Sequence, residues 1–265
     1  MPHSSRKKTP HHQHKRLQVT DDSGWTHVST SGKTARQVLR TTAAHQQDDP
    51  AQPGSFVPAE APSKLTAEDL GRQFESYRRR WETSDACQVV REALRAHTTP
   101  AAVAAQDAIV CIGLGSPSGF LRGGWVDRRS VSMYQLAGLV SVVDWMKQTN
   151  PNVSVYAQDP VFNELDKSLL SSLGVVVLEH PHAFEKVTPA TFLYCPGAEQ
   201  AHLSQLLALN PGFLFGGPLE DNDSEVVRQF VGARGSVRLP RFQEHEHAFW
   251  NMRIYYPEDT EEDDD

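Results

Sequence analysis

The segment Gly113-Leu114-Gly115-Ser116-Pro117-Ser118-Gly119 carries the most legible chemistry in this sequence, because it follows directly on the apolar run Ala108-Ile109-Val110-Cys111-Ile112. Glycines at the exit of a buried strand let backbone N–H groups come close to an anionic ligand. The spacing is G-x-G-x-x-x-G instead of the dinucleotide binders' G-x-G-x-x-G, and Pro117 lacks an N–H. Glycine also serves plain turn geometry, so a ligand loop and a tight structural turn both stay open. A further segment, 120–132, precedes the next helix and holds Arg122, Arg128 and Arg129. Such connections usually take about two to six residues, so this one reads as functional or as a solvated loop. Ser130 or Ser132 would cap the helix that carries Gln135, and the start of that helix favours an anion.

The second strand ends in Gln158-Asp159-Pro160. In a dinucleotide fold the acid that meets the ribose hydroxyls stands at this strand tip, about 20 residues beyond the glycines. Here 44 residues separate Gly115 from Asp159, a gap the inserted loop explains in part. Asp-Pro also starts turns and caps helices, so Asp159 reads equally as a ribose ligand or as a cap. Gly113, Gly115, Ser116, Ser130, Gln135 and Asp159 form the candidate crevice.

Other constellations are weaker. Cys195, at the end of a strand, would need His180 or His182 as a base to act as a nucleophile, and buried cysteine is commonly inert. Glu244-His245-Glu246-His247 would put both histidines on one face if it formed a strand, but no third metal ligand is identifiable. The six histidines before residue 46 follow no zinc spacing, and Arg78-Arg79-Arg80 reads as the solvated face of a helix.

These residues need elements to hold them. From Leu65 to His97 the apolar positions recur at three- to five-residue steps. That spacing predicts one helix, or two broken near Thr83-Ser84-Asp85, starting at Ser63 or at the pair Thr66 and Asp69. After Pro100, strands alternate with helices: strand 108–112, helix 133–147, strand 153–157, helix 163–173, strand 175–178, strand 191–194, helix 199–209 and strand 212–215. A last strand over 236–239 and a short element over 249–256 complete the pattern. Alternation of this kind means right-handed βαβ units. The fold class is therefore α/β: a Rossmann-like, doubly wound, mostly parallel sheet with helices on both faces, preceded by a helical segment. Residues 65–257 make up the domain, with 65–97 helical and 105–257 the sheet core.

Of the 265 residues, 38% are hydrophobic, and the shortage is concentrated in 1–64, read as a basic, His-rich disordered tail and linker. The net charge of −7 hides a polarity. Eight basic residues against two acids occupy the first 45 positions, whereas 258–265 holds seven acids and no base and reads as a second disordered tail. The folded domain is thus acidic, which argues against nucleic-acid binding by its body. Arg6-Lys7-Lys8 and Lys15-Arg16 are spaced like a bipartite nuclear signal, and the tails offer themselves to protein partners. No apolar stretch reaches membrane-spanning length and no secretory leader is recognisable. Three scattered cysteines fit a reducing compartment, cytoplasm or nucleus.

The blocks Ile109-Val110-Cys111-Ile112-Gly113-Leu114-Gly115-Ser116, Gln135-Leu136-Ala137 and Val155-Tyr156-Ala157-Gln158-Asp159-Pro160-Val161-Phe162, with Ser130 and the helix ending Leu170-Ser171-Ser172-Leu173-Gly174, carry a family resemblance. Together they resemble the Sensitivity-to-Red-light-Reduced (SRR-like) family. Tyr194-Cys195-Pro196-Gly197-Ala198-Glu199 and His247-Ala248-Phe249-Trp250-Asn251 fit its later blocks, in a form similar to fungal members. The resemblance covers about 65–257, most specifically 108–175, and leaves the tails out. It implies links to circadian and light signalling in plants, to microtubule phenotypes in yeast and to regulation of haem biosynthesis in animals. It implies no agreed reaction, cofactor or catalytic residue.

Three functions compete. The leading one is a regulatory protein whose Rossmann-like domain binds a nucleotide-like small molecule. An enzyme using a nucleotide-type cofactor, for S-adenosylmethionine methyl transfer or NAD(P) chemistry, is the alternative, and a non-binding scaffold is the third. Limited proteolysis of the full chain is expected to leave a resistant fragment beginning near residues 60–68; protection of the N-terminal sixty or so residues would contradict the two-tail reading.

Overall fold

In the computed structural model, residues 17–20, 26–29, 58–120, 127–219 and 222–258 are described. They fall in two units divided between Ser55 and Phe56. In the first, β1 (Leu17–Thr20) pairs antiparallel with β2 (Thr26–Ser29). Most of residues 1–64, residues 121–126 and nearly all of the acidic stretch 258–265 lie outside the described residues.

The second unit opens with helices α1 (Ala67–Glu82), α2 (Asp85–His97) and α3 (Pro100–Ala104). Thr66 caps α1, accepting from the Asp69 amide and donating its hydroxyl to the Asp69 carboxylate at 2.8 Å. The break falls at Thr83-Ser84, where Ser84 caps α2. Then follow β3 (Ala108–Ile112), α4 (Arg128–Lys147), β4 (Ser154–Gln158), α5 (Glu164–Ser172) and β5 (Val176–Val177). After β6 (Thr191–Cys195) come α6 (Gln200–Ala208), β7 (Phe213–Gly216), α7 (Glu225–Gly232), β8 (Arg234–Arg238) and β9 (Arg253–Pro257).

The sheet order is β5-β4-β3-β6-β7-β9-β8. Its first five strands run parallel, and β9 and β8 join antiparallel. The chain winds outward from β3 to β5, returns to β6 on the other side of β3, and winds outward again. The fold is thus an α/β, doubly wound, mostly parallel sheet, with its switch in strand order between β3 and β6.

The apolar runs reflect burial on both faces. In β3, Ile109 and Cys111 enter one core while Ala108, Val110 and Ile112 enter the other. The same alternation divides Phe192 and Tyr194 from Leu193 and Cys195 in β6. Helices α1, α2, α4 and α5 cover the first face; α6 and α7 cover the second.

The helical segment is part of this core. Trp81 of α1 is fully buried, with its ring 4.5 Å from Phe249 and 5.8 Å from Phe242, and its Nε1 donates to Ser141 Oγ of α4 at 2.9 Å. Tyr77 sits edge-on to Tyr134 of α4 and its hydroxyl donates to Ser130 Oγ at 2.7 Å. Trp81→Ala should therefore cost about 3–5 kcal/mol in urea unfolding, through lost transfer energy and a cavity beneath α4. A loss below about 1 kcal/mol would show that α1 is peripheral to the core.

Candidate functional site

The parallel strands β3, β4 and β6 end on a common edge, and there the loops enclose a crevice of about 620 Å³. Its floor is 112–116, and its walls are 158–161 and 196–199. Arg128, Ser132 and Gln135 of α4 close one side, and His180, Phe184, His202 and His247 contribute rings. Gly113, Gly115, Ser116, Gln135 and Asp159, all picked out from the sequence, line this space together. Ser130 does not: its hydroxyl donates to Asp127 Oδ2 at 2.5 Å and accepts from Tyr77. The cap of α4 is Asp127, not Ser130 or Ser132, since Asp127 Oδ1 receives the Ser130 amide at 3.1 Å.

The glycines are demanded by geometry. Gly113 has φ +78°, and a Cβ there would lie 2.6 Å from Ala198 N and Gly197 C. Gly115 has φ +72°, and its Cβ would meet Ser132 Oγ at 2.6 Å. The left-handed conformation strains a side chain at both positions, and at Gly113 the facing backbone also leaves no room for one. The loop amides also have partners inside the protein. Gly113 N donates to Gln158 O at 3.4 Å and Gly115 N to Asp159 Oδ2 at 2.7 Å.

Asp159 is therefore no helix cap. Its second oxygen, Oδ1, accepts from Val161 N at 3.0 Å, and Asn163 caps α5 through a capping box with Asp166. Burial raises the Asp159 pKa above its usual 3.8, while the Gly115 and Val161 amides oppose the rise. Ser116 points its hydroxyl at Asp166 Oδ2 (2.5 Å), and Ser118 N donates to Asp166 Oδ1 (2.8 Å). Gln135 extends its amide to Ala248 O at 2.8 Å, and its own carbonyl accepts from Tyr194 OH at 2.7 Å. Both side chains brace the rim as they line it.

Burial pushes the Cys195 thiol up to about 12 and the Cys111 thiol well above its usual value, so neither is a thiolate near neutral pH. Residues 244–247 form no strand: they run from a bend into a turn, with the His245 and His247 rings 5.9 Å apart. Burial lowers the His245 pKa. Among the described residues no group of three or more His, Cys, Asp or Glu is placed to hold a metal.

The sequence named His180 only as a possible base, and it passed over Gln158, Phe184 and His202 as crevice residues. Their signal was available in part, since His180 and Phe184 follow β5 on the edge where β3 and β4 end.

The model of the SRR1 domain matches residues 90–256. The chain belongs to the SRR1 domain family. No curated protein matches it. The matched span takes in the seven-stranded sheet as far as Tyr256 and every crevice wall, and it begins within α2, so α1 lies outside it although Trp81 is part of the same core.

Replacing Asp159 by Asn tests the carboxylate's surroundings. Asn retains one acceptor, so one of the two amides loses its partner, at a cost of about 1–3 kcal/mol. A raised folded-state pKa means that the native protein keeps this proton longer than the unfolded chain. The associated stability is present at low pH and is lost as pH rises from 3.8 through the raised value. Asn has no such loss. Asp159→Asn should accordingly be less stable than the parent at low pH, with the gap narrowing toward pH 7 in urea unfolding; a gap that widens would contradict the burial of this carboxylate.

Proposed function

We propose that this SRR1 domain is a regulatory protein that binds a nucleotide-like small molecule in the crevice at the switch in strand order. Family membership supports a regulatory or signalling role in general. The observation that carries the ligand reading is a single crevice of about 620 Å³ shared by the glycine loop and Asp159. That volume lies in the range of small-molecule sites, and doubly wound sheets hold ligands in this crevice. Asp159 keeps an unshared lone pair on each oxygen beyond the two amides it accepts, as ribose hydroxyls require. The inert thiols favour binding over nucleophilic catalysis.

Among the described residues no helix is long and apolar enough to cross a membrane. All three cysteines are free and buried, which supports a reducing compartment, cytoplasm or nucleus. The oppositely charged tails serve as contacts for protein partners.

Thermal melting of the full chain with ATP, NAD⁺, S-adenosylmethionine and haem tests the reading. A ligand at about a hundred times its Kd adds about 2.7 kcal/mol, a rise of roughly 5–10 °C for a domain of this size. At least one nucleotide-type compound should raise the melting temperature, and Asp159→Asn should erase that rise. Flat curves with every compound would favour the scaffold reading instead.

A further inference from the structure

The geometry points to a nucleoside held by its base: His180, Phe184 and His202 grip a flat heterocycle at the β5 end of the crevice, and no phosphate sits on the glycine loop. This inference rests on the crevice being a nucleotide-like site.

The direction of the His180 ring follows from a chain of hydrogen bonds. Ala183 N lies 3.0 Å from Gln158 Oε1, and an amide N–H only donates. Oε1 is therefore the acceptor, and the Gln158 NH₂ group faces His180 Nδ1 at 3.0 Å. NH₂ donates there, so Nδ1 accepts and carries no proton. The neutral ring holds its proton on Nε2, and the Nε2–H is the donor this imidazole offers. Gln158 is buried at the end of β4, so a rigid strand sets the tautomer of an exposed rim residue.

Two more rings complete the corner. Phe184 stands 5.6 Å from His180 and 5.6 Å from His202, edge-on to both, and the two imidazoles are 6.1 Å apart. All three line the crevice, and they come from separate elements, the segment after β5 and helix α6. Apolar ring surface beside one directional donor complements a planar ring with a nitrogen or oxygen acceptor on its edge.

A phosphate finds the opposite. The amides of Gly113 and Gly115 already donate to Gln158 O and Asp159. Arg128, the one Lys or Arg among the described lining residues, is set against Asp159 and Glu199, so those fixed charges give no positive field for a diphosphate.

Isothermal titration of the full chain with adenosine, guanosine, cytidine, ADP and NAD⁺ separates the possibilities. At least one nucleoside should bind, with ADP and NAD⁺ no tighter than adenosine. His180→Phe should weaken that nucleoside about tenfold and flatten the preference among bases, whereas Asp159→Asn should weaken all nucleosides alike. Nucleoside binding that His180→Phe leaves unchanged, or diphosphates binding more tightly than nucleosides, would overturn the base-gripping inference and leave the nucleotide-like site standing. No binding by any of the five would overturn both. Nitrogen-15 NMR of the free protein gives a ligand-independent check, with protonated Nε2 and unprotonated Nδ1 expected at His180; the reverse tautomer would overturn the inference by itself.

Discussion

Where the chain leaves β3 it meets the chain leaving β6 backbone to backbone, because neither Gly113 nor Gly197 has a side chain to hold them apart. A Cβ on Gly197 would lie 2.7 Å from Gly113 O, and one on Gly113 would lie 2.6 Å from the Gly197 carbonyl carbon. The contact joins two strands that are neighbours in the sheet yet belong to opposite windings of it. With β3 buried on both faces and fixed in register with β4 and β6, its exit has one direction left. The left-handed turns at Gly113 and Gly115 take it, and the crevice is the space that remains beyond them.

Acidic groups then lock this path. Asp159 holds the Gly115 amide, and Asp166, fully buried, receives Ser116 Oγ, Ser118 N and Asn163 N. Asn163 reaches from the cap of α5 to Ala59 O at 2.9 Å, and Ala59 N donates to Val161 O at 2.9 Å. Residues 59–60 thus strap the glycine loop to the exit of β4, ahead of the Ser63 start read from the sequence. Hydrogen bonds to carboxyl groups in a dry setting are stronger than the same bonds in water, since each lost partner would leave a buried polar atom unsatisfied.

The elements most legible in the sequence are those whose pattern is fixed by burial alone. The continuous run 108–112 requires a strand covered on both faces, and the helix break at Thr83-Ser84 is visible in the cap residues. Helix α7 escaped the sequence reading because its eight residues offer a short apolar stripe, Val227 and Phe230, behind a polar loop. The antiparallel arrangement of β9 and β8 was equally hidden, since β8 reads Arg-Gly-Ser-Val-Arg and is placed by its ladder with β9. For the crevice, topology made Gly113, Gly115 and Asp159 legible across 44 residues. It could not show that the Gly115 amide bonds to Asp159, nor that Ser130 turns to Asp127 and Tyr77. Those outcomes depend on side-chain direction, which the spacing of residues along the chain does not contain.

The same distinction bears on what glycine loops mean. In a phosphate-binding loop the amides point outward and wait for an anion. Here the amides of Gly113 and Gly115 point into the protein, so the glycines serve close approach and turn conformation, and the polarity of the site comes from elsewhere. The available donors and acceptors stand on the rim beyond the second and third strands, where Asp159 presents oxygen and the Gln158 amide turns His180 into a donor. A sheet can therefore keep the Rossmann-like path of its first loop while moving recognition from phosphate to the other end of a nucleoside. The loop's sequence records the path, and the hydrogen bonds of Gln158 and Asp159 decide which chemistry that path can serve.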